Sequence, residues 1–272
     1  MYKIKICLLC FALMAVASAA SLDSIPFSIS SFAGGSCYLT SGEKWSAGLE
    51  NPAVLGIAEQ KDGLCLENSK WLIDTSLQKA GISWTVADWG INLSFIRLAD
   101  DSGFNWTSST GTSNGTAYYN ENLTALSAGH EAFGLYWGAT YKMFSKRSVD
   151  EKTYGNADIG LLYDSRSFWK IGAKCNNIFA GSEINDKTVY YEIGMELWVN
   201  QLFAQIEMLG SQNKYRFATG YKNDWLLLNG GLDEDNNFSA GIRISVWSLM
   251  LEYAFKNMDI GNTSRFGLVL QL

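Results

Sequence analysis

Pro52 is the last proline of the chain: nothing from Ala53 to Leu272 is proline. A sheet closed on itself uses every backbone N–H in its ladder, and proline has none to give. The same stretch alternates in side-chain character. Phe133, Leu135, Trp137, Ala139, Tyr141 and Met143 share one face, with Gly134, Tyr136, Gly138, Thr140 and Lys142 opposite. Ala157, Ile159, Leu161 and Tyr163 oppose Asp158, Gly160, Leu162 and Asp164; Tyr191, Ile193, Met195 and Leu197 oppose Glu192, Gly194 and Glu196. Phe238 to Val246 and Trp247 to Lys256 repeat the pattern, and Phe266, Leu268, Leu270 and Leu272 carry it to the terminal carboxylate. A period of two marks strands with one apolar face. Most runs approach the ~9–11 residues that a tilted strand needs to cross a bilayer.

Counting the weaker runs around Leu64–Ile73, Ile82–Val86, Ile91–Phe95, Leu123–Ala132 and Trp225–Leu228 gives about fourteen strands, an even number. The links sort by length. Those near Asp88, Ala132, Ser165, Asn200, Asn223 and Val246 are tight, whereas Ala99–Asn122, Ser145–Thr153, Asn177–Lys187 and Asn257–Asn262 are read as longer. Short turns on one side and long loops on the other are the habit of a membrane barrel, not of a soluble sandwich. Charged residues reach only 18% while aromatics reach 14%, which suits a surface shown to lipid. The fold predicted is all-β: a transmembrane antiparallel barrel of about fourteen strands, over 62–272.

Lys3 and Lys5, the apolar run Ile6–Val16 and the small residues Ala17-Ser18-Ala19-Ala20 read as a Sec-type signal peptide over 1–20. Residues 21–61 then lie ahead of the first strand. Export leaves three cysteines, Cys37, Cys65 and Cys175, of which Cys37 and Cys65 could bridge in an oxidising periplasm. A formal charge of -6 excludes a generally basic nucleic-acid surface. No cofactor fingerprint or metal spacing is present.

By parity the lumen carries Lys142, Lys170, Lys174, Arg216, Arg243, Lys256 and Arg265 beside Asp158, Glu192, Glu196, Glu207 and Glu252. Opposite charges in comparable number predict cross-strand pairs in a narrow, filled barrel rather than a filter of one sign. Tyr136, Leu162, Tyr190, Trp198, Phe203 and Met250 also fall inward and could line a small apolar pocket. His130 is the only histidine, without a catalytic motif around it, and the chain reads as a non-enzyme.

Several stretches carry a family resemblance. Gly34-Gly35 followed by Asn51-Pro52-Ala53-Val54-Leu55-Gly56 resembles the N-terminal region of the FadL-like outer-membrane barrels, related to long-chain fatty-acid transporters. Ala157-Asp158-Ile159-Gly160-Leu161-Leu162-Tyr163, Leu251-Glu252-Tyr253 and Ser264-Arg265-Phe266 extend the likeness, which is greatest to the smaller PorV/PorQ-type members. The terminal Arg265, Gly267, Leu270 and Leu272 resemble the signal read by the barrel-assembly machinery, although Leu stands where Phe is usual. The resemblance implies a fourteen-stranded barrel with a short N-terminal periplasmic plug segment over 21–61 that includes Asn51, Pro52 and Ala53. It implies a bacterial outer-membrane location, with outer-membrane lipid and secretion-system components as partners, in a non-catalytic accessory role in protein export. A FadL-like transporter of hydrophobic small molecules is the alternative, and a structural or adhesive barrel a third. Ligand-binding candidates are the lumen residues Tyr136, Lys142, Asp158, Glu192, Glu196, Glu207, Arg216, Arg243 and Glu252.

Overall fold

The computed structural model describes residues 26–70, 75–100, 104–107, 113–117, 120–147, 151–179, 189–210, 213–258 and 261–272. The expected leader lies outside them. Sixteen strands follow in chain order: β1 (Gly63–Lys70), β2 (Thr75–Val86), β3 (Trp89–Asp100), β4 (Phe104–Thr107), β5 (Ser113–Ala117), β6 (Asn120–Ala132), β7 (Leu135–Arg147), β8 (Glu151–Asp164), β9 (Trp169–Asn176), β10 (Tyr190–Val199), β11 (Leu202–Leu209), β12 (Lys214–Lys222), β13 (Leu226–Leu232), β14 (Phe238–Val246), β15 (Leu249–Met258) and β16 (Gly261–Gln271). Fourteen form a closed antiparallel barrel; β4 and β5 make a separate hairpin between β3 and β6. Closure is by β16 against β1, from Gly63 opposite Gln271 to Glu67 opposite Gly267.

The tight turns impose the register. Ala87 and Asp88 both have positive φ, as do Phe133 and Gly134, the geometry of two-residue hairpin turns matched to strand twist. Phe133 and Trp247, read from sequence as the first residues of a strand face, are instead turn residues with φ of 57°. Two links read as long are shorter, because the strands run on past them. β7 and β8 pair as far as Arg147 opposite Glu151, and β15 and β16 as far as Met258 opposite Gly261.

Alternation sends large apolar side chains outward on every side: Leu93, Leu126, Tyr141, Ile159, Met195, Ile206, Phe217, Ile242, Leu251 and Leu268 are all exposed. No described helix is long and apolar enough to cross a membrane. An apolar band around the whole circumference is instead what a barrel presents to lipid. At the tight-turn end Trp89 stacks on His130 with ring centroids 5.0 Å apart, and Trp137 meets Trp89 edge-on at 5.2 Å. His130 therefore belongs to an outer aromatic group. Its Nδ1 lies 3.0 Å from the Asp88 carbonyl.

The segment before β1 lies inside the barrel. It holds α1 (Ile29–Ala33), α2 (Lys44–Ala47) and a 3₁₀ turn (Pro52–Gly56), all too short to persist alone. Capping and burial hold them. Ser28 Oγ accepts from Ser31 N, and Asn51 Oδ1 accepts from Ala53 N with Pro52 at the first helical position. Phe32, Trp45, Ala47 and Val54 are almost wholly buried.

Candidate functional site: the plugged lumen

The wall made by β3, β6, β7 and β8 is ordered in rungs, because these strands pair with matched register. Gly90, Gly129, Gly138 and Gly160 stand directly opposite one another across the four strands. Their missing side chains admit the plug. A Cβ on Gly129 would lie 2.4 Å from the Pro52 carbonyl oxygen, one on Gly138 2.3 Å from it, and one on Gly160 would overlap Asn51 Oδ1. Side chains there would push the plug off the wall. Asn51 completes the seat by donating from Nδ2 to the carbonyls of Leu39 (2.7 Å) and Leu161 (3.3 Å).

Six residues along each strand from the glycines, Ile96, Leu123, Phe144 and Tyr154 form a second rung. Ile96, Leu123 and Phe144 make a buried apolar cluster with Leu77 and with Phe27 and Leu49 of the plug, and the half-buried Tyr154 packs against it. Barrel interiors are usually polar, so an inward apolar rung is a specific feature of this wall.

Between the rungs, and along the rest of the circumference, lie the charges. Asp158 bonds Lys142 at 2.6 Å and Lys174 at 3.2 Å, and accepts from Asn177 N; Lys174 also donates to the Leu49 carbonyl. Arg216 pairs with Glu192 (3.1 Å) and with Glu234 (2.6 Å). Glu207 Oε1 accepts from Tyr38 N and Leu39 N, both at 2.6 Å. Arg243 bonds Glu252 at 2.6 Å and Glu43 at 2.7 Å, and Lys222 adds a contact to Glu43 at 3.3 Å. Burial acts to raise the Glu43 carboxyl, but Lys222 and Arg243 together hold it down at about 2. Burial, then the neighbouring Glu192, pushes the Tyr38 phenol up, so it stays protonated and donates to Glu192 at 2.7 Å. The Glu50 carboxyl is also pushed up by burial, against the Ser28 N–H that it accepts.

The parity reading thus places Lys142, Asp158, Glu192, Glu196, Glu207, Arg216, Arg243 and Glu252 inside, all buried. They do not converge on one ligand; each helps to hold the plug or a neighbouring strand. Glu196 accepts from Trp198 Nε1 and from Gln205. Tyr136 and Leu162 do not gather with the other inward apolar residues into a pocket. They pack on Val54, Leu55 and Ile57, while Met250 joins Trp45 and Val269, and Trp198 lies against Phe203. Around Tyr136 and Leu162 the plug occupies the space that such a pocket would need.

Among the terminal residues, Arg265 is wholly buried, bonds Glu67 and donates to the carbonyls of Pro26 and Phe27 at 2.9 Å. Gly267 faces Ile29, where a Cβ would lie 2.6 Å from its Cδ1. Leu270 and Leu272 point outward. Cys37 and Cys65 are free thiols, so the bridge expected between them is not formed. Sequence reasoning missed Glu67, Lys79, Asp233, Glu43 and the alignment of the four glycines. Glycine at lumen parity was the available signal for the last.

The remaining volume is uneven. A cavity of about 350 Å³ opens at the tight-turn end between Glu43, Lys222, Asn223, Arg243, Ser245 and Gln271. A second, of about 90 Å³, lies deeper between the plug and β10–β14.

No protein-family model matches the sequence, and no curated protein does. Solved structures do. The toluene transporter TodX of Pseudomonas putida superposes with a TM-score of 0.62 at 12% identity, over 88% of this chain and 95% of its own. The toluene transporter TbuX of Ralstonia pickettii gives 0.64 at 12% identity, over 92% and 98%. The closed fourteen-stranded barrel is a fold shared with these two transporters. At this identity the likeness is one of architecture, extending over nearly the whole length of both proteins.

Proposed function

We propose that this protein sits in a bacterial outer membrane and passes small hydrophobic molecules across it without chemistry. The observation that carries the reading is the inward apolar rung Ile96, Leu123, Phe144 and Tyr154, packed on Phe27 and Leu49 of the plug, which a shift of the plug would bare to a solute. An ion or sugar gains nothing from such a wall, whereas an apolar solute leaving water gains about 25 cal/mol per Å² buried. Lumen charges of both signs lie interspersed, many of them paired, which is not the one-signed lining of an ion filter. The similarity in fold to two toluene transporters supports the same reading.

The export-accessory role implied by the PorV/PorQ likeness is the competing reading, with secretion components rather than a solute as partner. Its support is the sequence likeness alone. A deletion strain assayed for toluene uptake and for secreted proteins separates them. Lost uptake with normal secretion is expected; normal uptake with lost secretion would replace the transporter with the accessory.

A further inference from the structure

The tight turns end the barrel on apolar side chains. Val86, Phe133, Phe168, Val199, Trp225 and Trp247, one in or beside each turn, are all more than half exposed. Phe133 and Trp247 stand free, at 103% and 95% of full exposure. Turns that end in water favour Asn, Asp, Ser and Gly. Both aromatics also occupy a conformation that bulky side chains avoid. Phe133, Asn200 and Trp247, the first residues of three two-residue turns, share a φ of 57°. Asn tolerates that left-handed region, as at Asn200, whereas a bulky ring there is strained against its own backbone. The turns gain nothing from this strain, so the rings answer to something outside the barrel.

The lipid-facing band runs into these turns without a break. Trp137, Leu135 and Phe133 follow one another down one strand, and Leu251, Leu249 and Trp247 down another, all exposed. The six residues are also spread round the whole rim: strands lie ~4.8 Å apart, so tips on alternate links recur roughly every 10 Å. Polar turn residues such as Asp88, Ser165, Asn200 and Asp224 separate them. Single rings set among polar groups do not make the contiguous patch that a protein partner buries. They match the headgroup layer of a bilayer, where Trp and other aromatic side chains gather. We propose that the turn tips, Phe133 and Trp247 foremost, are anchors that enter the phospholipid headgroup layer of the leaflet at the tight-turn end. The rim of the mouth then lies in lipid headgroups instead of standing clear in water. This rests on the outer-membrane placement proposed above.

The test uses the full barrel in phosphatidylcholine vesicles, either brominated on the acyl carbons nearest the headgroup or unbrominated with iodide on both sides. The Trp247 share of the emission is the part absent in Trp247→Asn, and Phe133→Trp adds a second reporter. Bromolipid should quench both shares by roughly half or more, while iodide leaves them nearly unchanged. Stability gives an independent sign. Asn relieves the backbone strain, so Phe133→Asn and Trp247→Asn would raise the urea midpoint if the tips stood in water; loss of the lipid contact should lower it instead. Ala87→Asn, at a turn residue with φ of 46° and a side chain too small to anchor, should raise it. Iodide quenching without bromolipid quenching would leave the tips in water, open to a periplasmic protein, and would overturn the anchors. A higher midpoint in both Asn variants would overturn them as well. If the remaining tryptophans also escape the bromolipid, the membrane placement fails together with the anchors; if Trp247 alone escapes, that placement stands.

Discussion

The two sides of the barrel hold the plug with different balances of glycine contact and charged bridging. On the side of β3, β6, β7 and β8 the strands are 12 to 14 residues long, and the plug backbone lies against four glycines with no side chain between. From β9 to β14 the strands have 7 to 10 residues; Gly172, Gly231 and Gly241 meet the plug singly rather than as one rung, and between them the plug is reached through long charged side chains such as Arg216, Arg243 and Lys222. Close backbone packing leaves no volume, whereas bridging side chains leave chambers beside them. That is why the cavities lie along the shorter wall. A plug seated firmly on one side and tethered on the other can yield along the tethered edge first.

The comparison is sharpest where a charge is removed from each side. Asp158→Asn leaves Lys142 and Lys174 buried without their carboxylate and is expected to cost about 3–5 kcal/mol. Glu252→Gln, on β15 and bonded to Arg243 of the shorter wall, leaves Arg243 still paired with Glu43 and should cost about 1 kcal/mol. Urea unfolding from vesicles, followed by tryptophan emission, measures both. Equal losses would mean that the two walls are held alike.

A smaller difference is expected from glycine. Gly138→Ala puts a methyl 2.3 Å from the Pro52 carbonyl oxygen, against a backbone that cannot swing aside, and should cost about 1–3 kcal/mol. At Gly230, on the shorter wall, the nearest atom is the Ser239 carbonyl oxygen at 3.2 Å, so alanine there should cost under about 1 kcal/mol. If alanine at Gly230 proved the more damaging, the glycine rung would not be the seat of the plug.

The smallest effect concerns pH. Glu43 has its carboxyl depressed from the ordinary 4.5 to about 2, so its hold on the plug is fully present above about 4.5 and is lost as pH falls toward 2. Planar-bilayer conductance should therefore stay flat between pH 8 and 5. It should rise only in more acid solution, and in Glu43→Gln that acid-dependent rise should be reduced. A rise near pH 6 would show that another group controls the tethered edge.

The sequence determined the inside and outside of nearly every barrel strand, because in a strand successive side chains point to opposite faces and lipid selects one of them. That is how Ile193 and Glu192 could be assigned to different sides, and how the six tight turns could be located. It could not decide which lumen residues meet. Gly90 and Gly129 face each other only because β6 pairs with β3 beyond an intervening hairpin, and no local pattern encodes that register. Glu43, Glu50 and Tyr38 belong to an irregular segment without periodicity, so their partners were invisible until the plug was seen inside the wall. Apolar residues such as Tyr136, Leu162 and Met250 were placed inward by parity, but whether they lined a pocket or packed on the plug depended on where that segment runs. Period-two chemistry is local and survives in the sequence; the mutual placement of plug and wall comes from long-range packing, which only the tertiary structure decides.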